Sequence, residues 1–220
     1  MVYTADLKSA AFGIEGSSPS AHTIIISINI SMQNFYKRFP EIDNVYWTNY
    51  FLNEFFPKYK IFEQLSMSNT SSLYTMYLKK DFYKDLEILK LSSLLVSKLN
   101  FPSIEYFSIF KHRYAQTIHA DGKSTLRYAS FNLPLVGFEG TKMCFYNTKP
   151  NVIPKVTDAY YFKEDDVCLA TELEGKNEWT LVNSSIPHNI VNSDFNNPRI
   201  TVCIRFNGNP KFEDLITTEG

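Results

Sequence analysis

The residues with chemistry to offer are few and scattered. His119 and Asp121 stand two apart in the stretch Ile118-His119-Ala120-Asp121-Gly122. On an extended strand, side chains two apart point to the same face, so this imidazole and carboxylate can grip one ion together. A metal site needs a third donor, and Pro187-His188-Asn189 offers one far down the chain, just ahead of a strand-like run that opens with Arg199. Two imidazoles and one carboxylate on one face of a divalent metal leave its remaining positions open to small ligands. Each half also has a plain structural reading, Asp121-Gly122 as a surface turn and His188 as a hydrogen-bonded structural histidine.

The run Arg199 to Phe206 alternates strictly. Arg199, Thr201, Cys203 and Arg205 share one face, and Ile200, Val202, Ile204 and Phe206 share the other. If the arginine face lines an interior, it holds cations where an unpaired charge is very costly. A buried guanidinium is matched by a planar carboxylate bound in two-pronged fashion, which a dicarboxylate ligand would supply. On an edge strand, both arginines would instead lie in solvent.

Such residues need a scaffold that brings distant segments together. From Ile104 the chain breaks into short β-prone runs, at 104–110, 113–119, 126–135, 142–147, 166–172, 179–184 and 199–206, punctuated by glycine and proline. Many short strands at this spacing predict a sandwich or barrel, the eight-stranded jelly roll among them. A barrel sets His119 and Asp121, near its second strand, beside His188, near its seventh. Upstream, 23–30 and 73–78 read as strands. A helix is expected from about Asp43, with Val45, Trp47, Tyr50, Phe51 and Phe55 at helical spacing and Pro57 ending it. A longer helix is expected over 82–99, capped by Asp81, with Leu86, Leu89, Leu94 and Leu95 as its apolar face. The fold class is therefore mainly β with flanking helices. Residues 1–103 form an N-terminal layer of helices and strands that buttresses a core at 104–220, the two making one structural unit.

Composition excludes several alternatives. At 220 residues with 44% hydrophobic content and 20% charge, the chain is an ordinary soluble globular protein of one substantial domain. A formal charge of -1 exerts no overall pull on nucleic-acid phosphates or anionic membranes. Cys144, Cys168 and Cys203 lack the spacing of a thiolate metal site or a disulfide framework, which fits a reducing compartment. No leader-like N-terminus and no bilayer-length apolar run is visible, so a cytoplasmic location is expected. His22 and His112 complete no ligand pattern and read as structural. Glu164-Asp165-Asp166 reads as a solvated turn, Lys79-Lys80 and Lys58-Tyr59-Lys60 as surface, and Cys144 and Cys203 as small core residues.

The order of these features carries a resemblance. His119-x-Asp121, then Ser130-Phe131-Asn132-Leu133-Pro134-Leu135, Gly140-Thr141 with Phe145-Tyr146, Trp179 to Pro187-His188, and Arg199 to Phe206 together resemble the 2-oxoglutarate/Fe(II)-dependent oxygenase superfamily. The nearest look is to bacterial and phage members of its prolyl hydroxylase-like and aspartyl/asparaginyl hydroxylase-like groups, over about residues 104 to 210. The resemblance implies a double-stranded β-helix, the jelly-roll or cupin-like fold. It implies Fe(II) held by His119, Asp121 and His188, with 2-oxoglutarate chelating through its 2-keto and 1-carboxylate groups. Arg199, eleven residues past His188, would pair with the 5-carboxylate, and Arg205 on the same face competes for that role. Asn132 and Arg127 would be cosubstrate or substrate contacts. The implied reaction consumes O2, releases succinate and CO2, and oxidises a small molecule, an amino acid or a protein side chain. An intact Asp121 favours hydroxylation or oxidative demethylation over halogenation, because the halogenating branch lacks that carboxylate. Two other readings stand beside it: an AlkB-like nucleic-acid demethylase, whose last strand carries two arginines six apart, and a non-catalytic jelly roll serving binding or structure.

Overall fold

Alternation and β-branched residues build strands wherever a face can be covered, and here both faces of one sheet are. The computed structural model describes residues 35–67, 73–77, 84–113, 115–121, 128–157, 159–192, 194 and 196–216. The expected strand at 23–30, His22, Arg127, Lys79-Lys80 and the Asp81 cap lie outside these residues.

The strands are β1 Tyr36–Arg38, β2 Leu73–Tyr77, β3 Ile104–His112, β4 His119–Ala120, β5 Ala129–Val136, β6 Lys142–Thr148, β7 Lys155–Val156, β8 Tyr160–Tyr161, β9 Val167–Glu174, β10 Thr180–Asn183, β11 His188–Val191 and β12 Arg199–Phe206. They form two six-stranded sheets with every pair antiparallel. One runs β1-β10-β5-β12-β3-β2 and the other β7-β8-β4-β11-β6-β9. The chain is mainly β, with few helices. The N-terminal segment supplies both edge strands of the first sheet, β1 and β2.

Helix α1, Asn44–Tyr50, starts where expected, with Asp43 accepting from the Tyr46 N–H as N-cap. It runs on through a wider π turn, Phe51–Phe55, into α2, Phe56–Lys58. Pro57 sits in that final turn, and Lys60 then takes a left-handed φ of 53° before α3, Ile61–Met67. Helix α4, Leu86–Leu99, begins later than the leucine pattern predicts, because Asp85 supplies its cap to the Glu87 N–H. Its buried face is Ile88, Leu91 and Leu95, while Leu86 and Leu89 are 73% and 46% exposed. A helix this rich in leucine offers two apolar stripes, and packing selects one. A short α5, Phe212–Ile216, follows β12. Among the described residues no helix is long and apolar enough to cross a membrane.

The main core lies between the helices and the outer face of the first sheet. Trp47, Phe51, Phe55 and Leu91 meet Phe107, Phe131, Trp179, Ile204 and Phe206 there. Phe131 and Trp179 stack with centroids 4.8 Å apart. A smaller apolar group (Phe35, Met143, Phe145, Leu173, Val182, Ile190) fills part of the space between the two sheets. Strand β12 is central, hydrogen-bonded to β3 on one side and β5 on the other, and buried at every residue. Its aliphatic face joins the main core, so its arginine face is turned toward the second sheet. The edge-strand alternative for Arg199 and Arg205 is excluded.

A paired imidazole site and an unpaired arginine

Strand β11 was not expected as a separate element, yet it presents His188. Its first residue stands directly opposite His119 of β4. Directly opposed residues of an antiparallel pair project to the same face, and the two imidazoles lie with centroids 4.6 Å apart. The expected strand at 113–119 shrinks to the two residues of β4. Backbone bonds from Gln116 to Ile190 and from Asp121 to Ser184, both 2.9 Å, nevertheless pin it on either side.

Each ring is oriented by its own strand. The Nδ1 of His119 lies 2.9 Å from the Thr117 carbonyl, and that of His188 lies 2.8 Å from the Ile186 carbonyl. A carbonyl can only accept, so both Nδ1 atoms carry a proton, and a metal would be met by Nε2 of each ring. His188 is held neutral: burial, and next the neighbouring His119, push its pKa down to about 4. Tyr161 and Phe145 wall the pair, their rings 6.1 Å from His119 and 6.3 Å from His188. Two imidazoles oriented through Nδ1, with Nε2 as the remaining donor atom, are the donor chemistry of a divalent transition metal.

Asp121, on the same face as His119, completes the sequence motif but is turned elsewhere. Its Oδ2 lies 3.4 Å from Nη2 of Arg205, whose Nη1 donates to the Ala129 carbonyl at 2.9 Å. Among the described residues no three His, Cys, Asp or Glu side chains are grouped so as to hold a metal ion. The histidine pair therefore fits a metal as it stands. Asp121, two residues from His119, is the nearest carboxylate in sequence, and its contact to Arg205 is long.

The two arginines of β12 differ. Both terminal nitrogens of Arg205 have partners. Arg199 is 5% exposed, its Nε donates to Thr201 Oγ1 at 3.2 Å, and its Nη1 has no partner among the described residues. Burial alone lowers its pKa to about 10. Pro134 cannot donate to the β5 ladder, and the β5–β12 register slips opposite it, between Ile200 and Thr201, just beside Arg199. A shallow, solvent-connected cleft opens against this side chain, with Asn132, Thr180, Val182, Met143 and Arg38 among its other walls. Asn132 donates to Ser130 Oγ at 3.1 Å. Arg38 is tied to Glu178 and to the Glu174 carbonyl. The histidines are not among the cleft walls, so the space lies at the arginine end.

His112, read from sequence as merely structural, stands opposite Arg199 in the β3–β12 register. Burial, then Arg199, then His119, hold its pKa at about 3. No local signal marks it, since its partner across the ladder is far away in sequence.

No family model matches the chain, and no curated protein matches it. Among solved structures it is similar to E. coli ycfD at 12% identity and a TM-score of 0.35, over 60% of this chain and 33% of that one. It is also similar to vicilin from hazelnut, Corylus avellana, at 11% identity and a TM-score of 0.32, over 63% of this chain and 30% of that one. The chain thus spans about a third of the length of these structures, and its site has to be argued from its own geometry.

Proposed function

We propose that the chain is an Fe(II)- and 2-oxoglutarate-dependent oxygenase, hydroxylating a small molecule, an amino acid or a protein side chain. The observation that carries this is the opposed pair His119 and His188, each ring oriented by a backbone carbonyl at Nδ1, with Asp121 two residues from His119 and the buried Arg199 on the inward face of β12. The strand order supports a double-stranded β-helix: β3, β12, β5 and β10 lie consecutively in one sheet, and β4, β11, β6 and β9 in the other.

His119, His188 and Asp121 would hold the metal, which when bound supplies the O2 chemistry that turns 2-oxoglutarate into succinate and CO2. Each protein group has its own task. The Thr117 and Ile186 carbonyls fix the ring tautomers. Arg205 orients Asp121 and balances its charge. Arg199 receives the distal carboxylate, its Nη1 gaining the acceptor it does not find among the described residues.

The test is an anaerobic Fe(II) titration with 2-oxoglutarate, read as a weak visible metal-to-ligand band. The band should vanish in Asp121→Ala and His188→Ala, and Arg199→Ala should mainly weaken 2-oxoglutarate binding. Wild-type behaviour in all three variants overturns the assignment, and no iron binding at all favours a non-catalytic jelly roll. A nucleic-acid demethylase is the second reading, supported by Arg199 and Arg205 lying six apart on the inward face of β12. A net charge of -1 weighs against it, and absence of single-stranded DNA binding at low salt sinks it.

A further inference from the structure

Arg199 is not the one polar group left wanting at this end of the site. His112, the last residue of β3, is 4% exposed, and its Nδ1 has no hydrogen-bond partner among the described residues. Such an orphan costs free energy unless something outside the chain satisfies it. Its ring is held in place by Phe110, stacked at 5.8 Å and 22°. Its Cα partner across the ladder is Arg199, so the two side chains share the inward face.

Chemistry says what the occupant is. A neutral imidazole carries one N–H, and with that proton on Nδ1 the ring and Arg199 Nη1–H are two donors without an acceptor among the described residues. So protonated, the two cannot bond each other and are satisfied together by one acceptor with two oxygens. An uncharged acceptor would leave the guanidinium uncompensated, whereas a carboxylate answers both needs. Because His112 and Arg199 are Cα partners across the ladder, a carboxylate seated on the guanidinium lies beside the ring.

We propose that His112 is a positioning residue for the cosubstrate, its Nδ1–H and Arg199 Nη1–H converging on the same distal carboxylate. This rests on the oxygenase reading and adds to it the residue that aims the ligand's far end. The arginine supplies charge, and the imidazole fixes the direction from which the carboxylate is held.

The experiment is isothermal titration of 2-oxoglutarate and of glutarate, with and without Mn(II), into wild type, His112→Phe, His112→Asn and Arg199→Ala. Phenylalanine keeps the ring stacked on Phe110 and removes both nitrogens. Asparagine restores a donor at the Nδ1 position. Losing a hydrogen bond to a charged acceptor should weaken both ligands about ten- to a hundredfold in His112→Phe, and His112→Asn should stay within about threefold of wild type. Glutarate lacks the keto group, so its loss reports the distal end rather than chelation. If Arg199→Ala loses binding while His112→Phe does not, the role of His112 is overturned and the oxygenase reading stands. If wild type binds neither ligand under either condition, both fall. Should His112→Phe fail to fold, ¹⁵N resonances of the wild-type histidines decide. The His112 Nδ1 signal should shift on adding glutarate, and an unmoved signal overturns the proposal.

Discussion

Arg199→Met should make the ligand-free protein more stable and take away its ability to be stabilised further. A buried cation without a counter-ion is a standing cost. Burial moves the Arg199 pKa from 12.5 to about 10, and at 1.36 kcal/mol per unit the gap is about 3 kcal/mol. The sign follows from the direction. A depressed pKa means the fold disfavours the charged form, so the penalty is present in full at neutral pH and lifts only as pH rises through about 10. Methionine keeps much of the apolar stem and drops the charge. Against that gain stands the hydrogen bond to Thr201, worth about 1 kcal/mol. The net expectation is about 1–2 kcal/mol of stabilisation, or about 2–8 °C in Tm for a chain of this size. Urea unfolding followed by tryptophan fluorescence measures it. With 2-oxoglutarate at a hundred times its Kd, the wild type should gain about 2.7 kcal/mol and the variant nothing, so the order of stabilities reverses. A variant less stable than wild type in buffer, and equally stabilised by 2-oxoglutarate, would refute the reasoning.

Three further outcomes are expected. His112 and His188 have pKa values near 3 and 4 against 6.5 unfolded, so the unfolded chain takes up protons first, and stability should fall as pH drops below about 6.5. With both rings contributing, the slope approaches about 2.7 kcal/mol per pH unit, and His112→Gln should roughly halve it in urea titrations between pH 7 and 5. Gly137→Ala should cost about 1–3 kcal/mol. The reason is a φ of +63° and a Cβ that would lie 2.5 Å from the Pro198 carbonyl. Because Pro198 leads straight into Arg199, its dicarboxylate affinity measured by calorimetry should fall as well. Asp85→Ala should cost about 2 kcal/mol by removing the α4 cap, which also accepts from Tyr50 and Lys58, while leaving ligand affinity unchanged on the far side of the sheet.

Some of this architecture is legible locally. Asp43 announces α1 because an N-cap acts over three residues. Strand β12 is found over the same residues, 199–206, that its alternation predicts, since side-chain period is a property of the backbone itself. Its division into an arginine face and an aliphatic face is legible for the same reason. Of the expected α4 face, Leu94 and Leu95 do meet the core, while Leu86 and Leu89 do not, because leucines on both stripes satisfy the helical period equally and only the neighbouring sheet selects Ile88, Leu91 and Leu95.

By itself, then, the amino-acid order determined which residues could do chemistry and which face of each strand they occupy. It pointed to His119, Asp121 and His188 as possible donors and to Arg199 as a cation in need of a carboxylate. The tertiary structure decided who meets whom. It set His188 opposite His119, turned Asp121 toward Arg205, satisfied the terminal nitrogens of Arg205 while leaving Arg199 Nη1 open, and brought His112 beside that guanidinium. These are matters of register between strands distant in the chain. Register is chosen by the burial of whole faces against helices and the opposite sheet, a cooperative choice that no short stretch of sequence contains.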